Sequence, residues 1–458
     1  MLFFNNLIFN LHHKEYRPFL FNLLSFRRRI LTDSELVAVK SMVEKKEQIK
    51  LFNMRENGLY SALLNEKQIL NKDIIAQVDA RLHQEYTENY KNFYNSTDMA
   101  ISIQISTDCN MDCCYCFEKK YLKTRHTMTN RMIDNISAFF DVASLDAGVQ
   151  FNVSSIRLTG GEPLYSQETA KLVSYIAEKW PGTKIILQTN GLNLIKYYDY
   201  LPLEQLNPVT VSLDGIPDIH AKRRFSSKTD NSFYSDILNG IKRLLGDGVQ
   251  VAISSVLDKS NYIHYGDFEN LLKEEGLLGH PLIVQLGGVV CDFATDLCID
   301  TRFNNKFDVM EIHDFITSNT FKLQKHGAGL FQDLATINEM LLRETNAYSL
   351  PKTYRCNGVF FNNQLFATDG NVYLCERVVE NKGIVGTFFP KISIDFNRIN
   401  EQIQSNPIFT NEQCKACVYK YVCHGGCLMV LYAKDKKIDC GSFYDNDIMD
   451  RLSYDYKQ

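Results

Sequence analysis

The sequence contains no apolar run approaching the roughly 20 residues that a membrane-spanning helix requires. Its first residues are apolar, but asparagines interrupt them, and they lack both a basic start and a small-residue cleavage site, so we expect no signal peptide. No internal repeat or low-complexity segment is evident. A net charge of -4 gives no indication of a nucleic-acid partner. These absences favour a cytoplasmic protein whose partners include neither a membrane nor a nucleic acid.

Cysteine is the residue type that the chain does have in a marked pattern. There are 13 cysteines in 458 residues, an odd number, and most of them lie in two tight groups. In a long chain with no leader, this pattern indicates metal or cluster ligation more than a disulfide framework. The length predicts two to three domains, and a hydrophobic content of 45% is ample for a packed core.

The first cysteine group follows a predicted strand, the alternating run over 99–105. Cys109, Cys113 and Cys116 stand in a C-x3-C-x2-C spacing on the loop that leaves this strand, where α/β folds place their chemistry. Three thiolates can bind an iron–sulfur cluster through three irons, which leaves the fourth iron open to a small molecule. A zinc knuckle would need four ligands at matched spacing. We expect the adjacent Cys114 to be a small buried side chain and not a ligand.

Strands and helices alternate from about residue 98 to residue 290. The patterns predict strands over 99–105, 155–159, 184–189, 209–213, 249–257 and 282–286. They predict helices over 130–143, 166–179, 234–245 and 267–275. Such βα units form a parallel sheet with right-handed crossovers, so the fold class is α/β. Six strands are too few for a closed eight-stranded barrel.

Three short motifs follow strands of this region. Thr159-Gly-Gly-Glu-Pro163 joins two glycines, which let backbone approach a ligand closely, to a carboxylate that can accept from an ammonium group. Gln188-Thr-Asn-Gly191 and Ser212-Leu-Asp-Gly215 offer side chains that can hydrogen-bond hydroxyl or carboxylate groups. Each motif can also be ordinary turn chemistry at a strand end.

The cysteine loop and the Gly-Gly-Glu motif together resemble the radical S-adenosylmethionine (SAM) superfamily, whose cluster loop reads C-x3-C-x-aromatic-C. Tyr115 fills the aromatic place. The resemblance implies a partial (β/α)6 barrel with a [4Fe–4S] cluster on Cys109, Cys113 and Cys116, and SAM on the open iron. In this family the reduced cluster cleaves SAM to a 5′-deoxyadenosyl radical, which abstracts hydrogen from the substrate.

The resemblance also implies which residues bind SAM: Tyr115, Phe117, Gly160, Gly161, Glu162, Ser212, Asp214 and Arg224. The Gly-Gly-Glu motif would bind the amino group of SAM. The serine and the aspartate would bind the ribose or the carboxylate, and Phe117 would lie near the adenine. The arginine would reach the carboxylate, the alternative being a surface salt bridge.

The second cysteine group lies in residues 354–458 and resembles the SPASM domain, whose members hold two auxiliary [4Fe–4S] clusters. By analogy the first cluster would bind Cys356, Cys375 and Cys427, and the second Cys414, Cys417, Cys423 and Cys440. The chain would then hold three [4Fe–4S] clusters. Seven thiols leave one cluster with three ligands, so its fourth would be Cys291, Cys298, a substrate thiol or water. A two-zinc alternative would need eight ligands, with His424 as the eighth.

The regions on either side of the core are less informative. Residues 1–97 predict a strand over 19–24 and helices over 32–46 and 71–93, the first opened by a Thr32–Glu35 capping box. This order is compatible with a winged-helix-like α+β domain that recognises leader peptides, or with a plain structural cap. Residues 291–353 would bridge the core (98–290) and the tail.

These features lead us to expect an oxidoreductase that matures peptides. It would install a thioether, carbon–carbon or carbon–oxygen crosslink, or a related oxidative modification, in a ribosomally synthesised precursor peptide. A flavodoxin- or ferredoxin-like protein would donate one electron. An electron carrier or a catalytically silent cluster scaffold is a possibility from another class of protein. The intact Gly160-Gly161-Glu162 motif argues against it, because a scaffold needs no SAM-binding motif.

The alternative enzyme is an anaerobic sulfatase maturase, which makes formylglycine from cysteine or serine. That group has an aspartate directly after the second tail cysteine, where this chain has Glu376. A carboxylate there could serve as the catalytic base in either enzyme, or it could be an ordinary salt-bridged residue.

Overall fold

The computed structural model describes residues 6–9, 19–22, 28–45, 48–66, 72–95, 98–116, 118, 126–225, 232–257, 261–290, 363–376, 383–398, 401, 407–417 and 420. The bridging region 291–353, together with Cys291 and Cys298, lies outside these residues. Over the described residues, no helix is both long and apolar enough to cross a membrane.

The core of the fold is a parallel sheet of six strands, as the sequence predicts. The strands are β4 (Asp98–Ser106), β5 (Asn152–Gly160), β6 (Lys184–Thr189), β7 (Leu206–Ser212), β8 (Val251–Leu257) and β9 (Ile283–Val290). Each pairs in parallel with the next in chain order. Because parallel strands end at the same edge, the segments that leave them meet there.

Helices connect these strands: α4 (Asn130–Ala147), α5 (Gln167–Lys179), α6 (Pro217–Arg224), α7 (Ser232–Gly246) and α8 (Tyr265–Glu274). Four of them confirm the predicted helices to within a few residues. The sequence patterns missed α6, because this short and mostly polar helix has no apolar periodicity. A proline in its first turn and three basic residues in its last turn are the signals that could have revealed it.

The two faces of the core sheet differ in chemistry. One face is apolar and packs under the helices, with side chains that are essentially unexposed: Ile101, Ile103, Ile105, Ile156, Leu158, Leu187 and Val211. Alternation along a strand sends the neighbouring residues to the opposite face. That face carries polar residues of β4 and β5, among them Ser102, Gln104, Arg157 and Thr159. It can therefore receive a polar ligand, and we call it the polar face.

The sheet continues past β4 into the cysteine-rich tail. Strand β10 (Asn363–Phe366) pairs in parallel with β4, and the antiparallel strands β11 (Asn371–Tyr373), β12 (Ile384–Thr387) and β13 (Ser393–Ile394) extend it to ten strands. Phe366 lies edge-to-face with Phe139 of α4, at 5.3 Å between ring centroids. The first part of the tail is thus built into the core sheet.

Gly370 makes the turn between β10 and β11. Its φ is 86°, and a Cβ at this position would lie 2.2 Å from the carbonyl oxygen of Phe389. Only glycine fits both constraints.

The N-terminal region contains a three-stranded antiparallel sheet of β1 (Asn6–Phe9), β2 (Phe19–Asn22) and β3 (Arg28–Ile30), followed by α1 (Asp33–Glu44), α2 (Met54–Asn65) and α3 (Lys72–Asn95). The Thr32–Glu35 capping box is confirmed, since the Thr32 amide donates to Glu35 (2.8 Å) and the Glu35 amide donates to Thr32 Oγ1 (3.2 Å). Helix α2 was not predicted, because a glycine interrupts its weak apolar pattern. The winged-helix interpretation stays a prediction.

Helix α3 contacts the tail. Leu82 of α3 packs against Phe409, which lies in α9 (Pro407–Thr410) just before α10 (Glu412–Ala416). The ring of His83 lies edge-on to the Phe409 ring at 5.2 Å, and Lys420 Nζ lies 2.8 Å from Asp79 Oδ2. The N-terminal region therefore contacts the segment that carries Cys414 and Cys417.

Candidate cofactor site at the carboxyl edge of the sheet

The cysteine loop leaves β4 and is fastened by its backbone to the end of α6. The Asp112 amide donates to the carbonyl of Arg224 (2.8 Å), and the Cys114 amide donates to the carbonyl of Arg223 (2.9 Å). The last carbonyls of a helix have no partner within the helix, so the loop satisfies them. The helix that sequence patterns missed is therefore a main support of this loop.

The three predicted cluster ligands are half-buried together. Burial, with the charges of Glu162, Cys113 and Cys116, raises the pKa of the Cys109 thiol to about 12. Two side-chain N–H groups approach the sulfurs: Asn190 Nδ2 lies 4.0 Å from Cys109 Sγ, and an Arg224 guanidinium nitrogen lies 3.8 Å from Cys113 Sγ. Donors of this kind stabilise thiolates and tune iron–sulfur clusters.

Cys114 differs from our expectation, because its side chain is exposed and not buried. The turn at Cys114–Tyr115 is the reason, since it directs the half-buried tyrosine ring toward Arg223 and Arg224 and leaves the preceding side chain exposed. Phe117 lies outside the described residues, so its place near an adenine stays a prediction.

Gly160 and Gly161 pack against the cysteine loop. A Cβ on Gly160 would lie 2.3 Å from the Ser106 carbonyl oxygen, and one on Gly161 would lie 2.3 Å from the Asp108 carbonyl oxygen. The Gly161 amide donates to Ser106 (2.8 Å) and the Glu162 amide donates to Asp108 (2.8 Å). The glycines thus let β5 hold the loop closely, and a contact with SAM stays a prediction.

Glu162 is buried and its carboxylate is fixed by the strand ends beside it. It accepts hydrogen bonds from the Leu164 amide (2.9 Å), the Thr189 hydroxyl (2.6 Å) and the Asn190 amide (2.7 Å). Burial raises the pKa of this carboxyl group, although the three donors oppose the shift. The carboxylate is held next to the Cys109 thiol, where the resemblance places the amino group of SAM.

Asp214 and Arg224 form a buried ion pair behind the cysteine loop. Arg224 Nε and Nη2 each lie 3.0 Å from an oxygen of the Asp214 carboxylate, and the Val256 amide donates to the same carboxylate at 2.9 Å. Although burial raises the pKa of Asp214, Arg224 and Arg223 outweigh it and lower the value to about 2. The surface salt bridge considered for Arg224 is therefore wrong, because both partners are buried.

Tyr115 and Arg223 complete this network. The Tyr115 hydroxyl donates to Asp214, and its ring lies 5.0 Å from the Arg223 guanidinium carbon and 5.7 Å from that of Arg224. Burial, opposed by Arg224, raises the pKa of Tyr115 well above its usual value, so the phenol stays neutral. Sequence reasoning missed Arg223, although it stands directly beside Arg224 in the sequence.

Ser212 ends β7 and is half-buried. Its role, and the predicted contact of Asp214 with SAM, stay predictions. Both carboxylate oxygens of Asp214 accept from Arg224, which orients that guanidinium group.

Glu376 lies on the polar face, although it belongs to the tail. Its carboxylate accepts from the Ser102 hydroxyl of β4 and from Arg157 Nη1 of β5, the latter at 3.2 Å. Burial and the charge of Glu376 raise the pKa of Glu118 to about 7. Sequence reasoning missed Ser102, Arg157 and Glu118, and their alternation on two predicted strands was the signal for the first two.

The tail cysteines are described only in part. Cys375 follows β11, and Cys414 and Cys417 flank the end of α10, where the Cys417 amide donates to the Cys414 carbonyl at 3.2 Å. Cys356, Cys423, Cys427 and Cys440 lie outside the described residues. Within the described part of the chain, no three His, Cys, Asp or Glu side chains are arranged to hold a single metal ion.

The residues of the cysteine loop fit an iron–sulfur cluster. Three thiols lie on one loop, and the charges of Cys113 and Cys116 contribute to the raised pKa of Cys109. Side-chain N–H groups lie within 4.0 Å of two of the sulfurs. A cationic cluster core would stabilise these half-buried thiols as thiolates.

Two curated proteins are similar to part of this chain. GTP 3′,8-cyclase of Mycolicibacterium smegmatis is 30% identical over 165 residues, which cover 36% of this chain and 43% of that protein. GTP 3′,8-cyclase 2 of Mycobacterium tuberculosis is 28% identical over 159 residues, covering 34% and 42%. The chain thus spans less than half the length of these curated relatives.

Two solved structures resemble the chain over a larger part of its length. Native anSMEcpe with bound AdoMet has a TM-score of 0.51 at 18% identity, covering 78% of this chain and 96% of that chain, which shows a shared fold. Streptococcus suis SuiB has a TM-score of 0.49 at 16% identity, covering 93% and 95%.

A sequence model of one family matches residues 103–273, which include the cysteine loop, the Gly-Gly-Glu motif and Arg224. The match and the geometry of the loop agree: residues 103–273 form a domain of the Radical SAM superfamily, whose enzymes use SAM in radical chemistry.

Proposed function

We propose that this protein is a radical SAM enzyme that modifies a ribosomally synthesised precursor peptide. When bound, a [4Fe–4S] cluster and SAM would supply a 5′-deoxyadenosyl radical, the chemistry that the protein itself lacks. Cys109, Cys113 and Cys116 would hold the cluster. Arg224 would reach the SAM carboxylate and Glu162 the amino group, both oriented by the hydrogen bonds described above.

One observation carries the proposal beyond the cofactor site. The tail strands continue the sheet from β4, and Glu376, next to Cys375, binds Ser102 and Arg157 on the polar face. Cys375 is thus the chain neighbour of a residue on the face that we propose a substrate occupies. An auxiliary cluster on Cys375 could accept the electron that closing a new bond releases. We also propose the second auxiliary cluster on Cys414 and Cys417, with the undescribed tail cysteines.

A peptide is the substrate class that we infer. A structure of anSMEcpe, described as native with bound AdoMet and Cp18Cys peptide, shares the fold at a TM-score of 0.50 and 18% identity. Here, the partly exposed side chains of Arg157 and Glu376 offer hydrogen-bonding groups of the kind that bind peptide backbone. Glu376 is the proposed base, since it could take the proton that a substrate group loses. The N-terminal region would recognise the leader of the precursor.

The alternative function, a sulfatase maturase that makes formylglycine, would use the same site residues. A glutamate in place of the aspartate of sulfatase maturases still presents a carboxylate directly after Cys375, so Glu376 favours neither enzyme. The GTP 3′,8-cyclase of M. smegmatis is similar to this chain over only 36% of its length, so GTP belongs in the test as a control substrate.

The test is anaerobic turnover of reconstituted full-length protein with dithionite and SAM. The peptides offered are those encoded beside its gene, a cysteine-containing sulfatase peptide, and GTP in place of peptide. We expect 5′-deoxyadenosine in all cases, and a mass change only in a neighbouring precursor peptide. A mass change in the sulfatase peptide alone would support the alternative. Conversion of GTP with no modified peptide would contradict both peptide functions.

A further inference from the structure

His220 is a buried histidine on α6 that the proposed function leaves without a role. Its ring is 0% exposed, and its Nδ1 accepts from the Asp214 amide at 3.1 Å. An acceptor nitrogen carries no proton, so the proton of the neutral ring lies on Nε2. Burial, together with the charge of Arg224, lowers the pKa of His220 to about 3, which keeps the ring neutral. The ring therefore presents an acceptor to the main chain of Asp214.

The other ring nitrogen of His220 is not satisfied. Its Nε2 is buried and has no hydrogen-bond partner in the part of the chain that the structure describes. The rings of Phe233 and Tyr234 lie beside the imidazole, at 5.9 and 5.4 Å between centroids. A buried N–H group without a partner costs free energy, and an apolar ring would fill this space without that cost. The bond at Nδ1 is therefore what distinguishes histidine from phenylalanine at this position.

Helix α6 holds Asp214 at two points. His220 and Arg224 stand four residues apart, which places them on one face of the helix. His220 accepts from the Asp214 amide, while Arg224 Nε and Nη2 donate to the carboxylate oxygens at 3.0 Å. The Asp214 carbonyl accepts from Asn261 Nδ2 at 2.9 Å. The amide, the carbonyl and the carboxylate of this one residue are thus all fixed.

The position of Asp214 decides where the guanidinium group of Arg224 points. Nε and Nη2 of the arginine bind the carboxylate, and its Nη1 lies 3.8 Å from Cys113 Sγ. Because a guanidinium group is planar and rigid, a shift of Asp214 would move Nη1 relative to the cysteine loop. In the proposed function, this arginine reaches the carboxylate of SAM.

We propose that His220 is a positioning residue for SAM binding, which holds the main chain of Asp214 so that Arg224 is presented to the SAM carboxylate. The inference rests on the proposed function, in which Arg224 binds that carboxylate. His220 acts through Asp214 and needs no contact of its own with SAM or with the cluster.

The test compares SAM affinity in full-length reconstituted protein, measured from the change that SAM causes in the paramagnetic signal of the reduced cluster. His220→Asn keeps an acceptor, because the side-chain oxygen of asparagine can take the place of Nδ1. His220→Phe keeps an aromatic ring and removes the acceptor. Tyr198→Phe is the matched control, since it removes a hydrogen bond of another buried ring, to Asp247 at 2.6 Å, just after the end of α7.

We expect His220→Phe to weaken SAM binding about tenfold, the order expected for the loss of one hydrogen bond. His220→Asn and Tyr198→Phe should stay within about threefold of wild type. The control ligand is 5′-methylthioadenosine, which lacks the carboxylate, measured by competition with SAM. Its affinity in His220→Phe should stay within about threefold of wild type, because the change acts on the group that binds the carboxylate.

Three results would overturn the inference alone. They are an unchanged SAM affinity in His220→Phe, equal losses in His220→Phe and His220→Asn, or an equal loss for 5′-methylthioadenosine. His220→Leu is a second variant without the acceptor. Loss of fold or of iron in both His220→Leu and His220→Phe would also overturn the inference, because the bond would then serve folding. A wild-type protein with no SAM-responsive signal would instead overturn the proposed function.

Discussion

The two cysteine-bearing regions of the chain are held in different ways. The core loop is fixed by buried groups: backbone bonds to the end of α6, two glycines with no room for a Cβ, and the Asp214–Arg224 pair. The strands before Cys375 are buried in the extended sheet, but the ion pair of Glu376, the residue after it, is partly exposed, with Glu376 28% and Arg157 44% exposed in their side chains. The comparison shows that the core loop has buried supports on several sides, whereas the ion pair of Glu376 beside Cys375 is partly exposed.

The largest expected effect is on SAM cleavage, and it distinguishes the three predicted cluster ligands of the core loop from Cys114. Cys109→Ala, Cys113→Ala or Cys116→Ala should abolish SAM cleavage, because each removes one of three thiolates that hold the cluster. Cys114→Ala is the matched control, and its exposed side chain should leave cleavage within about twofold of wild type. The amount of 5′-deoxyadenosine formed by each variant, measured by mass spectrometry, tests this prediction. Persisting cleavage in any of the first three variants would remove the core assignment.

Loss of a tail cysteine should separate SAM cleavage from product formation. Cys375→Ala and Cys414→Ala should retain 5′-deoxyadenosine formation within about tenfold of wild type, because the core loop is held without them. Both should form no modified peptide. The ratio of modified peptide to 5′-deoxyadenosine is the quantity to measure. A normal ratio in both variants would mean that the tail clusters are dispensable.

Crowding at the glycines should show how rigidly the loop is held. Gly161→Ala should destabilise the protein by about 3 kcal/mol, since its Cβ would lie 2.3 Å from a backbone oxygen. Gly246→Ala is the control, because no atom lies within 4 Å of its Cβ position. Thermal unfolding and iron content report the effect. Equal stability of the two variants would contradict the close packing of β5 against the loop.

Acid should weaken the buried network. The folded pKa of Asp214, about 2, lies below its usual 3.8, so the ion pair stabilises the fold above pH 4 and this contribution is lost as the pH falls from about 4 to about 2. The loss is on the order of 2 kcal/mol. Acid unfolding of wild type and Asp214→Asn, each measured relative to its own stability at pH 7, should differ by this amount. Parallel pH curves for the two would contradict a charged Asp214.

The smallest effect is expected at the contact between α3 and the tail. Asp79→Asn should cost only about 0.5 kcal/mol, because the Asp79–Lys420 pair is partly exposed. Glu412→Gln, which breaks the more exposed pair with Lys415, should cost less still. Chemical denaturation compares them. A loss above about 2 kcal/mol in Asp79→Asn would show that this contact is a main support of the tail.

The part of the fold that sequence patterns predict is the part with strong apolar periodicity. The six core strands and four of the core helices have it, and the structure confirms them. Helix α6 does not, because its residues serve the loop and the ion pair more than the apolar core. The extension of the sheet through β10 was also not predicted, since nothing in a single sequence indicates which distant strand will pair with β4.

The candidate site divides in a similar way. The thiol spacing and the Gly-Gly-Glu motif can be read directly from the sequence. The reason for the two glycines cannot, because it depends on how closely β5 approaches the loop. The contacts of Glu376 with Ser102 and Arg157 also cannot be read from the sequence, because these residues lie 274 and 219 positions away along the chain.

The most direct test of the account is the response of anaerobically reconstituted, dithionite-reduced protein to SAM. We predict a paramagnetic [4Fe–4S] signal that changes shape when SAM is added, and the loss of that change in Cys113→Ala. A protein that binds only zinc, or a signal that SAM leaves unaltered, would contradict the claim that the loop holds a cluster with one iron open to SAM.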